Sequence, residues 1–102
     1  MIGIDIIKIK RLEDGKSSFI NKIFSEKEIA ETTKSNMYQK LAGKWAAKEA
    51  AFKAGILYAN RDIEILTTDS KPAIYIEGKK SKAMVSISHE KEYATAIVFN
   101  NV

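Results

Sequence analysis

Three groups of residues carry side chains that can do chemistry. Asp5 lies in Met1-Ile2-Gly3-Ile4-Asp5-Ile6-Ile7-Lys8-Ile9, and Glu49 and Lys53 lie in Trp45-Ala46-Ala47-Lys48-Glu49-Ala50-Ala51-Phe52-Lys53-Ala54. Ser86, Ser88 and His89 share Val85-Ser86-Ile87-Ser88-His89-Glu90. Asp5 and Glu49 sit in surroundings too apolar for a free carboxylate, whose unpaired burial is expensive. Two such carboxylates suit a divalent cation, magnesium above all, which often takes one or two carboxylates and completes its shell with water and phosphate oxygens. Each has a plainer reading. Glu49 and Lys53 have the i, i+4 spacing of an ordinary helix pair, which contributes only a few tenths of a kcal/mol, or about 0.2–0.5 kcal/mol. Asp5 can pair with a lysine or end a short strand. Two hydroxyls and an imidazole can hold phosphate or another polar ligand, while a lone histidine in a turn is commonly just solvated. A Ser-His nucleophile pair is disfavoured, because adjacent strand residues point to opposite faces.

The elements that must position these groups follow from periodicity. Five isoleucines in the first nine residues predict a buried strand with Gly3, Asp5 and Ile7 on one face and Ile2, Ile4 and Ile6 on the other. A long central helix begins after Ser35-Asn36 and ends near Gly55. At about 100° per residue, Leu41, Trp45 and Phe52 form a bulky stripe backed by an arc of Gly43, Ala46, Ala47, Ala50, Ala51 and Ala54. Lys44 and Lys48 fall on one flank of this helix, Glu49 and Lys53 on the other. Ahead of it, Arg11 to Phe24 has a helical pattern broken at Gly15, and Ser25-Glu26-Lys27-Glu28 is a capping box opening a helix to about Lys34. Strands are predicted at Asp62 to Thr67 and Ala73 to Ile76, with a turn at Asp69-Ser70-Lys71-Pro72. Ala83 to Ser88 and Tyr93 to Phe99 make a last pair, with Ser86 and Ser88 on one face and Val85 and Ile87 toward the core. This order predicts an α+β fold, helices packed on one face of a mainly antiparallel sheet, in one domain over residues 1–102.

Composition narrows the function. Without cysteine there is no disulfide, thiolate zinc site or cysteine nucleophile. The chain opens directly on the isoleucine strand, and no apolar run approaches a membrane span, so a cytoplasmic location is expected. The net charge of +4 favours an acidic partner. With only Arg11 and Arg61 as arginines against fifteen lysines, sequence-specific DNA readout is poorly supported.

Taken in order, Gly3-Ile4-Asp5-Ile6, Phe24-Ser25-Glu26-Lys27-Glu28, Leu41-Ala42-Gly43-Lys44-Trp45-Ala46-Ala47-Lys48-Glu49-Ala50 and Ser86-Ile87-Ser88-His89-Glu90 resemble holo-[acyl-carrier-protein] synthase. This is the small bacterial type of 4'-phosphopantetheinyl transferase, and the resemblance covers nearly the whole chain. It implies magnesium-dependent transfer of the phosphopantetheine arm from coenzyme A to a serine of apo acyl carrier protein, in support of fatty acid biosynthesis. Adenosine 3',5'-bisphosphate would be released. By position, Asp5 and Glu49 would be the metal ligands, and Lys53 would contact a coenzyme A phosphate and assist proton transfer. Ser88, His89, Lys71 and Pro72 would help form the coenzyme pocket, and Arg11 would dock the acidic carrier protein. A homotrimer with active sites between subunits is implied too, with no nucleic acid or membrane partner. Ser70-Lys71-Pro72 replaces the family's Gly-Lys-Pro, and the segments Gly55 to Asn60 and Glu77 to Lys82 are short for the family. For the general base, a metal-bound water, Glu28, Glu31, Lys53 and His89 stay open. The alternative function is a noncatalytic lysine-rich module that binds acidic carrier proteins or RNA.

Overall fold

The computed structural model describes residues 1–101. Strand β1 (Ile2–Lys8) is followed by three short helices, α1 (Lys10–Glu13), α2 (Ser17–Ile23) and α3 (Glu26–Ala30), and then by the long α4 (Met37–Lys53). A 3-10 turn at Asn60–Asp62 leads into β2 (Ile63–Thr68), β3 (Lys71–Ile76), β4 (Lys79–Lys80), β5 (Met84–His89) and β6 (Tyr93–Phe99). The fold is α+β with antiparallel pairing throughout, as expected. The strands make two three-stranded sheets rather than one, ordered β1-β6-β5 and β2-β3-β4.

Helix α4 packs across all three strands of the first sheet. The contact is made by its small residues: Ala46, Ala47, Ala50, Ala51 and Ala54 are fully buried against Ile7, Ala94, Ala96 and Val98. The closest approach is at Gly3, where an added Cβ would lie 1.9 Å from the Ala50 carbonyl oxygen and 2.9 Å from the Ala54 nitrogen. The helix ends in a Schellman motif, in which Ile56 N–H donates to Ala51 O and Gly55 N–H to Phe52 O, both at 3.0 Å. Gly55 supplies the left-handed residue this requires, at φ 91°. No helix among the described residues is long and apolar enough to cross a membrane.

Several expectations change. Strand β1 is buried on one face only, because α4 covers a single side of its sheet. Ile2, Ile4 and Ile6 on the other side are 67%, 61% and 62% exposed, alongside exposed Ile97, Phe99 and Met84. Phe52 leaves the predicted buried stripe and is more than half exposed. Trp45 is covered by Arg11 and by Phe19, whose ring meets it edge-on at 5.4 Å, and that cover does not extend to Phe52. The capping box at Ser25 forms as predicted, but α3 stops at Ala30. Beyond it Thr32 Oγ1 donates to Ile29 O, and Thr33 N–H is taken by Asn36 Oδ1, so local side-chain bonds replace the helix. Lys71 and Pro72 belong to β3, not to the turn, which consists of Asp69 and Ser70, both at positive φ. Pro72 is tolerated there because β4 pairs only with Tyr75 and Ile76, leaving no strand on its other side.

Replacing Gly3 by Ala is expected to destabilise the protein by about 2–4 kcal/mol, since a backbone oxygen cannot give way as a side chain can. Thermal unfolding should show a fall in Tm of roughly 10 °C or more. A Gly3→Ala protein with wild-type Tm would contradict the close approach.

Candidate active site

Asp5 reaches the end of α4 because Gly3, two residues earlier on the same strand face, lets β1 lie directly on Ala50. Its side chain is 18% exposed, and Oδ1 accepts from Lys53 Nζ at 3.1 Å. The same ammonium donates to Ile4 O at 3.1 Å. Lys53 therefore meets Asp5 and not Glu49, replacing the i, i+4 pair that spacing alone suggests. Glu49, one turn earlier on α4, is half-buried and makes no salt bridge among the described residues. These residues fit a hard divalent cation. Both candidate ligands are carboxylates, and the position at Asp5 already attracts a positive group in the Lys53 ammonium.

His89 lies on the other edge of the same sheet. In register, Asp5 on β1 faces Ala96 on β6, which faces Ile87 on β5, and His89 follows two residues on. At ordinary strand spacing the two edges are about 10 Å apart. His89 opens into a groove of about 180 Å³ with Gln39, Lys40, Gly43 and Pro72. Lys71 and Pro72 also line a neighbouring cleft of about 930 Å³ that includes Lys80, Ser81 and Lys82. Ser88 alternates onto the uncovered sheet face, beside Ile6 and Thr95 in a hollow that His89 also lines. Within one chain the candidate residues thus form two separate groups: Asp5, Glu49 and Lys53 at the β1 edge, and His89 with Pro72 and Lys71 at the β5 side. Arg11 is apart from both, its guanidinium carbon 4.5 Å from the centre of the Trp45 ring, a cation–π contact.

The least expected feature concerns Lys44 and Lys48, which share the predicted flank of α4 and are both buried. Lys48 Nζ lies 2.7 Å from Glu28 Oε1 and donates to Ile23 O and Asn60 O, both at 2.6 Å. Both side chains of this ion pair are completely buried. Glu28 also accepts from the backbone N–H of Ser25 and of Ile65. With both its oxygens engaged and no exposure, Glu28 is removed from the candidate general bases. Burial pushes the Lys48 ammonium below the ordinary lysine range, although the Glu28 carboxylate pulls in the opposite direction. Lys44 Nζ donates to Glu31 Oε1 and to Ile65 O, both at 2.6 Å. Burial alone would raise the Glu31 pKa; the Lys44 hydrogen bond, the Thr67 N–H and the Lys44 charge together outweigh it and hold the group below 4.5. One signal for this network was present in the sequence: two lysines at i, i+4 among alanines, downstream of a capping-box glutamate.

The fold is thus an α+β one in which a helix crosses an antiparallel sheet, with Asp5 and Lys53 in contact where they meet. Comparison with known proteins is specific about its family. The profile of the 4'-phosphopantetheinyl transferase superfamily matches residues 1–98, and the chain belongs to that superfamily. It is 36% identical over 107 residues to a holo-[acyl-carrier-protein] synthase of Thermodesulfovibrio yellowstonii, covering 95% of this chain and 94% of that one. It is 41% identical over 108 residues to that of Bacillus mycoides, covering 95% and 91%. Among solved structures, the Bacillus anthracis holo-(acyl-carrier-protein) synthase in complex with CoA (3',5'-ADP) superposes with a TM-score of 0.80 at 35% identity. That match covers 95% of this chain and 91% of the other. The Helicobacter pylori enzyme in complex with coenzyme A gives 0.79 at 31% identity over 96% and 97%.

Because its folded-state pKa is depressed, Glu31 contributes stability that is present above about pH 4.5 and lost as pH falls through the folded value. Glu31→Gln should lower Tm at neutral pH, and its Tm should then fall less than that of the wild type between about pH 5 and about pH 3. Parallel Tm–pH curves for the two proteins would refute this.

Proposed function

We propose that this chain is a single-domain cytoplasmic enzyme that transfers the 4'-phosphopantetheine arm of coenzyme A to a serine of apo acyl carrier protein. Its products are holo acyl carrier protein, for fatty acid biosynthesis, and adenosine 3',5'-bisphosphate. The observation that carries this reading is the meeting of Asp5 with Lys53 on the α4 turn that also bears Glu49, in a chain of this superfamily. The serine oxygen attacks the phosphorus bearing the arm, the bond to the bridging oxygen of the pyrophosphate breaks, and the hydroxyl proton departs.

Asp5 and Glu49 would hold magnesium, which supplies charge neutralisation for the pyrophosphate as the phosphorus is attacked. Lys53 has three ammonium protons and is half-exposed, so it can turn a donor toward a coenzyme A phosphate while remaining beside Asp5. His89, Ser88, Lys71 and Pro72 would line the coenzyme pocket. Arg11, held flat on Trp45, would present its guanidinium edge to carboxylates of the acidic carrier protein. With Glu28 sealed in the core and Lys53 held as an ammonium on Asp5, Glu31 and His89 are the side chains left to receive the serine proton.

The working form is proposed to be a homotrimer with active sites between subunits. The uncovered face of the β1-β6-β5 sheet supports this: Ile2, Ile4, Ile6, Ile97 and Phe99 make an apolar patch of the kind monomers rarely leave open. It bears Ser88 as well, and the Asp5 and His89 groups lie at opposite edges of the same sheet.

Incubation with coenzyme A, magnesium and apo carrier protein should add one phosphopantetheine to the carrier, read by mass spectrometry, and EDTA should prevent it. Asp5→Ala and Glu49→Ala should each reduce the rate by at least about 10²-fold, the scale of losing one electrostatic contact to a charged transition state. No transfer to any acyl carrier protein by the wild type would sink the transferase reading in favour of a noncatalytic binding module; full activity in both variants would remove only the metal ligands. Shared sites have their own test. Asp5→Ala and His89→Ala chains, mixed equally and reassembled, should regain activity in about one quarter of sites, where each variant supplies its intact half. A mixture no more active than its components would place each site within one chain.

A further inference from the structure

Helix α4 has a difficulty of register. The face it lays on the sheet is built of alanines, and contact between methyl groups is non-directional, so apolar burial alone does not fix where along or around its axis the helix stops. A slip of one residue would move Glu49 by about 1.5 Å along the axis and swing it by about 100°. Beside the Gly3–Ala50 contact and the Lys44 bonds, the residue immediately before Glu49 supplies the most heavily bonded directional anchor. Lys48 spends its three ammonium protons on three acceptors from three different places: Ile23 O at the end of α2, Asn60 O in the 3-10 turn, and Glu28 Oε1 on α3. Glu28 is itself pinned by Ser25 N–H and Ile65 N–H.

We propose that the buried Glu28–Lys48 pair acts as a positioning device, holding α4 in the register that sets Lys53 on Asp5 and Glu49 one turn before it. This rests on the reading of Asp5 and Glu49 as metal ligands and adds two residues that touch neither metal nor substrate. The pair satisfies four backbone groups, yet its charge is not needed to fill the space. Taking two charges out of water costs several kcal/mol each in order of magnitude, and apolar residues of similar volume often serve as well or better. What apolar replacements lack is direction: they fill the space without specifying the rotation of the helix.

That contrast supplies the experiment. The double variant Glu28→Leu/Lys48→Met exchanges the pair for apolar groups of similar volume; it also takes these partners from Ser25 N–H, Ile65 N–H, Ile23 O and Asn60 O, so its Tm should fall, and the metal affinity of the folded protein is the deciding readout. Magnesium titrated by calorimetry into protein saturated with coenzyme A should bind about tenfold more weakly, the lower end of the effect of removing outer partners from a metal site. In the transfer assay, the magnesium concentration for half-maximal rate should rise by a similar factor, with KM for the carrier protein unchanged. Should the double variant not fold, Glu28→Gln carries the same measurement below its own lowered Tm: its one amide oxygen can serve only one of the Ser25 and Ile65 N–H groups, while Lys48 keeps its two carbonyl contacts. Wild-type magnesium affinity in a folded variant overturns the proposal, since a purely structural pair would change Tm and leave metal binding alone. No magnesium binding by the wild type itself would instead remove the metal site on which the proposal rests.

Discussion

The structure depends on how closely β1 can approach α4. A strand and a helix normally keep the width of their side chains between them, whereas here the Gly3 backbone rests against the Ala50 carbonyl with no room for even a methyl group. Asp5 is the next residue on that strand face, so the separation that admits only glycine at position 3 also sets how far Asp5 stands from the helix. The alanines carry the same condition along α4: Ala46, Ala47, Ala50, Ala51 and Ala54 are all completely buried. At the far strand, Gly43 repeats it, where an added Cβ would be 2.8 Å from Ile87 Cγ2. Small residues thus bring the sheet within reach of the helix from one edge to the other, and the carboxylates follow from that proximity.

Such closeness leaves the opposite flank of α4 to be anchored by other means, and there the buried charges have a definite task. Strand β2 is an edge strand, whose outward backbone groups need partners. Ile65 gives its N–H to Glu28 and its C=O to Lys44, and Thr67 gives its N–H to Glu31. The lysines and glutamates take the place of a missing neighbouring strand. Their burial is costly as isolated charges and reasonable as edge-pairing groups. The second sheet is thereby joined to α3 and α4 through side chains rather than through a shared strand, which is why two sheets form where one was expected.

This division explains what could be read from the sequence. Local signals were legible: the capping box at Ser25, the span of α4 and its end at Gly55, and the alternation that puts Asp5 on one face and Ile4 on the other. Lys44 and Lys48 were not, because lysine is ordinarily solvated and their acceptors, Ile23 O, Asn60 O and Ile65 O, come from distant segments whose meeting periodicity does not encode. Pro72 misled for the opposite reason: its type suggests a turn, and only the shortness of β4 makes a strand possible there. Of the site, Asp5 and Glu49 were visible as carboxylates out of place. That Lys53 turns to Asp5 instead of Glu49 depends on tertiary contact alone.

The apolar alternation of β1 was legible as well, but its meaning was not settled by one chain. Ile2, Ile4 and Ile6 obey the strand pattern perfectly and still face outward. An isoleucine row that satisfies burial on the scale of one subunit and another that satisfies it on the scale of an assembly look identical in sequence. The distribution of polar residues separates the cases. Ser88 and Thr95 interrupt that outer face beside Ile6, placing hydroxyls within an otherwise apolar surface. On a surface left to water such residues would need no explanation; on one that is covered they require polar partners, and Thr95 has one within the chain, its hydroxyl donating to Asp5 O at 2.8 Å. Under the assembly proposed above, the Ser88 hydroxyl on that face would be the one to need a partner from a second copy.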